Sequence, residues 1–269
     1  MHVTLSYIER EAYKKSIIHN IDGRIKIILT LSIIVYAVSL PRLELLTIQK
    51  LVFIELYLFA LMALAHLNPL YLLIRFMAVI PFGGAIVLFQ PFIHHSFFDS
   101  YTVLYTLPFG LTVTLEGFEY GSILFSKFLV CITSIFLLSS TTKMQDMVNS
   151  ARRLGLPREF ALLLGMMVRY LFVFYNIFKK IRTAQKTRCF SIFNKKVPKK
   201  WILEQIGYTI SSIFIRSYEQ GERTYVSMLG RGYTADSSLY VSEKKIRTAD
   251  VTVLGITFFL IIGVHFFIV

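Results

Sequence analysis

The sequence predicts an all-α integral membrane protein of about five transmembrane helices, with a block of long cytoplasmic helices before the last span. Three observations predict it. Of 269 residues, 55% are hydrophobic and mean hydropathy is +0.61, more apolar than a soluble domain of this size requires. The apolar residues are gathered into blocks close to the ~20 residues that cross a bilayer. The +13 net charge is concentrated, because residues 143–247 hold 20 Lys and Arg against 7 Asp and Glu. These give three segments: 1–142 with four spans and an inward N-terminus, 143–247 with the basic helices, and 248–269 with the final span.

The N-terminal MHVTLSYIEREAYKKS is polar, so no removable signal peptide is expected. A first span covers 24–40, entered from a flank with Lys14, Lys15, Arg24 and Lys26 that favours the cytoplasmic side. A second covers 51–67 and ends at Asn68-Pro69. Glu55 lies inside it, and facing another helix is its expected setting. The third, about 70–92, is interrupted by Pro81 and Gly83-Gly84, which should kink it or admit a close neighbour. Residues 93–118 contain His94, His95, Asp99 and Glu116 but no Lys or Arg, as an external loop would. The fourth span, about 119–139, carries Lys127, which should face protein or water rather than lipid. The fifth is 251–269.

The basic region reads as helical: a short amphipathic piece at 145–154 stopped by Gly155, a long helix over 157–188, and another over 201–229. The stretch 160–178 is long and apolar enough to cross a bilayer. Spanning would carry the cations from Lys179 to Lys200 outward, against the positive-inside preference, so it is expected to lie against the inner ends of the spans. On the last helix Leu203, Ile206, Ile210, Ile213, Ser217, Gly221, Tyr225 and Met228 share one stripe, and the small Ser217 and Gly221 would let a helix cross closely. A nucleic-acid surface is disfavoured, because the basic residues alternate with apolar helices between spans. Cys131 and Cys189 lie in unlike settings, and neither has a metal-site companion.

The two long helices end alike, in Ala184-Gln-Lys-Thr-Arg188-Cys-Phe and Leu229-Gly-Arg231-Gly-Tyr. A cation suits a helix C-terminus in any protein. Arginine's planar fork also makes paired bonds to carboxylates that lysine cannot copy. Further pieces run along the chain: Asp22-Gly-Arg24-Ile-Lys26, Thr112-Val-Thr-Leu-Glu116-Gly, Arg152-Arg-Leu-Gly-Leu-Pro-Arg-Glu159, Arg169-Tyr-Leu, Ile181-Arg-Thr-Ala-Gln185 and Glu222-Arg-Thr-Tyr-Val-Ser-Met228. In this order the sequence resembles the transmembrane T component (EcfT) of energy-coupling factor transporters, and within it the CbiQ type of cobalt and nickel importers.

The resemblance implies a non-catalytic coupling subunit with no cofactor or resident metal. Its implied partners are two ABC-type ATPase subunits and a substrate-specific membrane subunit, the S component, of the metal-binding CbiM type. Arg188 and Arg231 would dock the ATPases, supported by Thr187, Cys189, Gly230 and Gly232, with Ser217 and Gly221 at the helix crossing. Thr187, Cys189 and Gly230 depart from the family's Ala-Arg-Gly signatures, and a non-glycine residue is costlier in a left-handed cap. A T component for vitamin-type substrates is the first alternative. A membrane metalloenzyme using His94, His95 and Asp99 is disfavoured, because adjacent histidines cannot face one metal as an i, i+4 pair does. A lone channel or carrier would carry more intramembrane ions than Glu55 and Lys127, and there is no phosphate-binding G-x-x-x-x-G-K-[ST] loop.

Overall fold

Each apolar block folds as a helix in the computed structural model, which describes residues 11–14, 16–41, 45–90, 103–106, 112–190, 197–234 and 247–267. After a 3₁₀ turn at Glu11–Tyr13, the order is α1 (Ile17–Asn20), α2 (Gly23–Ser39), α3 (Leu45–Leu64) and α4 (Pro69–Phe89). Strands β1 (Val103–Thr106) and β2 (Thr112–Thr114) pair antiparallel, and α5 (Leu115–Thr141), α6 (Met144–Arg153), α7 (Arg158–Thr187), α8 (Lys199–Leu229) and α9 (Thr248–Phe267) follow. The chain divides into two compact units, one of residues 1–155 with 244–269 and one of residues 156–243.

In the first unit α5 packs against α2, α3 and α4, while α9 lies on α2 and α3. Its core is built from one side of each helix: Ile25, Leu29, Ile33 and Ala37 of α2 at four-residue spacing, and Leu51, Ile54, Leu58 and Leu61 of α3. Opposite them α5 contributes Val130 and Leu137, one heptad apart. Much of the remaining surface of α3, α4 and α9 is exposed and apolar, including Phe53, Leu56, Met77, Leu88 and Phe259, which suits contact with lipid.

Local chemistry sets the boundaries. Pro69 occupies the first position of α4, where a missing N–H costs nothing, and the Asn68 carbonyl accepts from Tyr71 N (3.0 Å) and Leu72 N (3.2 Å). α4 runs on through Pro81. At Gly83 a Cβ would stand 2.6 Å from the Phe128 ring, so this glycine admits α5, whereas Gly84 faces open space. In the region expected as an external loop the structure has the β1–β2 hairpin, and α5 starts at Leu115, four residues earlier than Glu119. His94, His95 and Asp99 lie outside the described residues.

Among the described residues, five helices are long and apolar enough to cross a membrane: within α3, α4, α5, α7 and α9. By length and composition the number equals the five expected, but α2, with 17 residues or about 26 Å of helix against a ~30 Å hydrocarbon layer, is not among them. α7 is, although the positive charge that follows it opposes its crossing.

Candidate functional site

The second unit is a pair of long helices. Tyr170 OH of α7 bonds Thr224 Oγ1 of α8 at 2.6 Å, and Gln185 Nε2 of α7 donates to Thr209 Oγ1 of α8 at 2.7 Å. The residue order reverses between the two bonds, so the helices run antiparallel, tied at points about 22 Å apart at 1.5 Å per residue. A cleft of about 680 Å³ lies between α7 and α8, with Val173, Phe174 and Ile177 on one wall and Ser211, Ser212 and Glu219 on the other. The same register places Arg231 opposite Leu163. The two arginines therefore stand at opposite ends of the pair, about 37 Å apart along it.

The two helix ends share one backbone geometry. At the end of α7, Cys189 is left-handed (φ 59°), Phe190 N donates to Gln185 O at 3.0 Å and Cys189 N to Lys186 O at 3.0 Å. At the end of α8, Gly232 is left-handed (φ 76°), Tyr233 N donates to Met228 O at 3.0 Å and Gly232 N to Leu229 O at 2.9 Å. Both are Schellman caps, in which a left-handed residue turns the last N–H groups back onto otherwise open carbonyls. Arg188 and Arg231 each immediately precede the left-handed residue, and both are exposed. Cys189 thus reproduces the turn that glycine makes at the other end, although Cβ disfavours it. Thr187 Oγ1 bonds the Ala184 carbonyl at 2.8 Å, and Gly230 remains right-handed (φ −63°).

Surroundings differ between the ends. Phe190 packs edge-on to Trp201 of α8, ring centroids 5.5 Å apart. Arg188 borders a second cavity of about 420 Å³, lined also by Ile181, Phe190, Trp201, Gln205 and Tyr208. Ser217 bonds the Phe214 carbonyl of its own helix, and a Cβ on Gly221 would meet nothing within 4 Å. Thr209 and Thr224, not Ser217 and Gly221, therefore hold α8 to α7. The apolar periodicity marked this face only in part: Ile206, Ile213 and Met228 of the stripe are half-buried, but Leu203, Ile210 and Tyr225 are exposed, and the ties to α7 run through the polar Thr209 and Thr224.

In the first unit, the Asp22-Gly-Arg24-Ile-Lys26 segment ties several helix termini together. The Asp22 carboxylate accepts from Arg24 N at 3.0 Å, capping α2, and from the Arg24 guanidinium at 3.2 Å. Burial acts to raise its pKa, but the Arg24 N–H and guanidinium, with Arg153 nearby, outweigh it and hold the carboxyl below the ordinary aspartate value. A Cβ on Gly23 would collide with Ser150 Oγ, so only glycine lets α6 rest on the start of α2. Lys26, buried, donates to Thr141 O at the end of α5 (2.8 Å). Asp250 accepts from Asp22 N (3.2 Å) and Arg247 N (2.8 Å), joining the starts of α2 and α9.

Lys127 faces protein, as expected: its Nζ donates to Leu40 O at 2.6 Å and Val38 O at 3.4 Å. Glu55 faces another helix, accepting from Thr133 Oγ1 of α5 at 2.6 Å, while its Oε2 is buried without a partner among the described residues.

Fold and site together define a polytopic helical membrane protein carrying a second helical unit that ends in two paired arginine caps. The profile of the CbiQ family, described as cobalt transport protein, matches residues 14–241, and the chain belongs to that family. It is accordingly a membrane component of a cobalt transporter rather than a catalytic enzyme. Its relatives include uncharacterized protein MJ1571 of Methanocaldococcus jannaschii, 25% identical over 90% of this chain and 80% of the relative. MJ1089 of the same organism is 30% identical over 46% of this chain and 45% of its own length. A protein of Methanocorpusculum labreanum named putative fused cobalt transport protein CbiMQ is 25% identical over 56% of this chain and 24% of its own.

Proposed function

We propose that the chain is the transmembrane coupling (T) subunit of an ATP-driven energy-coupling factor importer for cobalt or nickel ions. Arg188 and Arg231 are its contacts with two ABC-type ATPase subunits, and a CbiM-type membrane subunit binds the ion. The observation that carries this reading is the repetition of one cap geometry, with arginine at the same position, at opposite ends of a tied helix pair. Two like contacts ~37 Å apart suit two like partners. A guanidinium held at a fixed turn presents its fork to carboxylates with little ordering left to complete. When the ATPases close, they move the two helix ends, and the pair bound by Tyr170–Thr224 and Gln185–Thr209 passes that movement to the membrane partner. The fused CbiMQ name of one relative supports a CbiM-type partner. In this reading the N-terminus and residues 143–247 are cytoplasmic, in keeping with their positive charge, and 1–142 and 248–269 form the membrane part.

The test is gentle solubilisation and isolation of the chain from its native membranes, as wild type and as Arg188→Glu, Arg231→Glu and the double variant. An ABC-type ATPase and a small membrane protein should copurify with wild type, and the double variant should release the ATPase while keeping the membrane partner. Undiminished ATPase in the double variant, or isolation of wild type alone, would overturn the reading.

A further inference from the structure

The two arginine ends are alike in backbone and unlike in everything around it. Near Arg188, the end of α7 and start of α8 bring Arg182, Lys186, Lys199 and Lys200 together with Glu204 as the acid on those segments. Near Arg231, the end of α8 holds Arg223 with Glu219 and Glu222, the facing start of α7 adds Arg158 and Arg169 with Glu159, and Arg223 is paired to Glu219 at 3.5 Å. One end is strongly positive and the other nearly balanced. The Arg188 end also has the ~420 Å³ cavity walled by Phe190, Trp201 and Tyr208, and its cap is braced by the Phe190–Trp201 contact.

Resting on the reading above, we infer that the two docks are unequal: the Arg188 end is the principal ATPase dock, fitted to an acidic surface that inserts an apolar side chain into the Phe190–Trp201–Tyr208 cavity. The Arg231 end is a secondary contact made by one arginine. An acidic partner is selected by charge complementarity, because a cluster of like charges both speeds encounter with an opposite surface and repels a basic one. The cavity supplies what charge alone lacks, an open aromatic recess that an anchoring side chain of the partner would desolvate on binding. Even a partner protein used twice would then bind the Arg188 end first and the Arg231 end second, giving the assembly an order.

The experiment reconstitutes the chain in nanodiscs with the ATPase that copurifies from native membranes, and measures its binding over a salt series. Arg231→Glu leaves only the Arg188 dock, and Arg188→Glu only the other. Raising salt several-fold should weaken binding to Arg231→Glu by about tenfold or more and to Arg188→Glu by about two- to threefold. Trp201→Ala should lower affinity about tenfold in the Arg231→Glu background and leave the Arg188→Glu background unchanged. Equal affinities and salt slopes for the two docks would overturn the inference while leaving the proposed function intact. So would a Trp201→Ala effect on anionic-lipid nanodisc binding of the basic end with none on the ATPase. If neither charge reversal alters ATPase binding, the function reading itself fails.

Discussion

Lys127 of α5 donates to the Leu40 carbonyl at 2.6 Å, while Lys26 of α2 donates to the Thr141 carbonyl at 2.8 Å, so each helix caps the C-terminus of the other. Charge fits the negative end of each dipole, and the open carbonyls at the end of a helix gain donors they would otherwise lack in an apolar layer. This explains a lysine inside a span: α2 stops early, before Pro41, and its last carbonyls fall where Lys127 can reach them.

Lys127→Met should therefore destabilise the membrane unit by about 1–3 kcal/mol, the cost of leaving a buried acceptor unpaired. Lys127→Arg, which keeps a donor, should recover part of it. Thermal unfolding in detergent is the measurement, and a Lys127→Met protein as stable as wild type would contradict the assigned role.

Gly23 makes the second prediction. Gly23→Ala should lower stability despite alanine's better helix propensity, because the added Cβ displaces Ser150 and with it α6. Ser150→Gly should restore the lost ground. A double-mutant cycle is expected to give a coupling of about 1 kcal/mol or more, and additive effects would show that α6 does not rest on Gly23.

Much of this was legible in the sequence, and the failures have physical causes. Hydropathy located every long apolar helix because each is a near-continuous apolar block, and Gly155 (φ 112°) and Pro157 mark the break between α6 and α7. The sequence also marked both arginine ends, by Arg-Gly at the end of α8 and by the similar Arg-Cys-Phe at the end of α7, although the left-handed turn at Cys189 was not legible in a non-glycine residue. What it could not mark were the polar ties joining α7 to α8. Where both sides of a helix carry apolar residues, periodicity selects the more apolar side, and here the bonds run through Tyr170, Gln185, Thr209 and Thr224. The use of Asp250 to join two helix starts was equally hidden, because its partner Asp22 is 228 residues away.

Asp22 gives a pH prediction. Its folded pKa lies below the unfolded value of about 3.9, so its contribution is fully present above that pH and is lost as pH falls through the folded pKa. Below about pH 4 the wild-type unfolding midpoint should fall more steeply than that of Asp22→Asn, which starts lower and carries no such titration, while above about pH 5 the two should run parallel. Curves parallel over the whole range would remove Asp22 from the account.

The last prediction separates cap geometry from arginine chemistry. Cys189 and Gly232 occupy equivalent left-handed positions (φ 59° and 76°), but only Cys189 carries a Cβ. Cys189→Gly relieves a strain of about 1 kcal/mol, partly offset by the greater freedom glycine has in the unfolded chain, so stability should change by less than about 1 kcal/mol. Gly232→Ala meets open space, and conformation alone opposes it, at about 1–2 kcal/mol in the last turn of α8. Hydrogen exchange at Tyr233 N, which closes that cap on Met228 O, should accelerate about five- to thirtyfold in Gly232→Ala. Exchange at Phe190 N should slow or stay unchanged in Cys189→Gly. If instead Gly232→Ala leaves Tyr233 protected, the left-handed turn is not what holds the end of α8, and Arg231 owes its placement to something other than the cap it shares with Arg188.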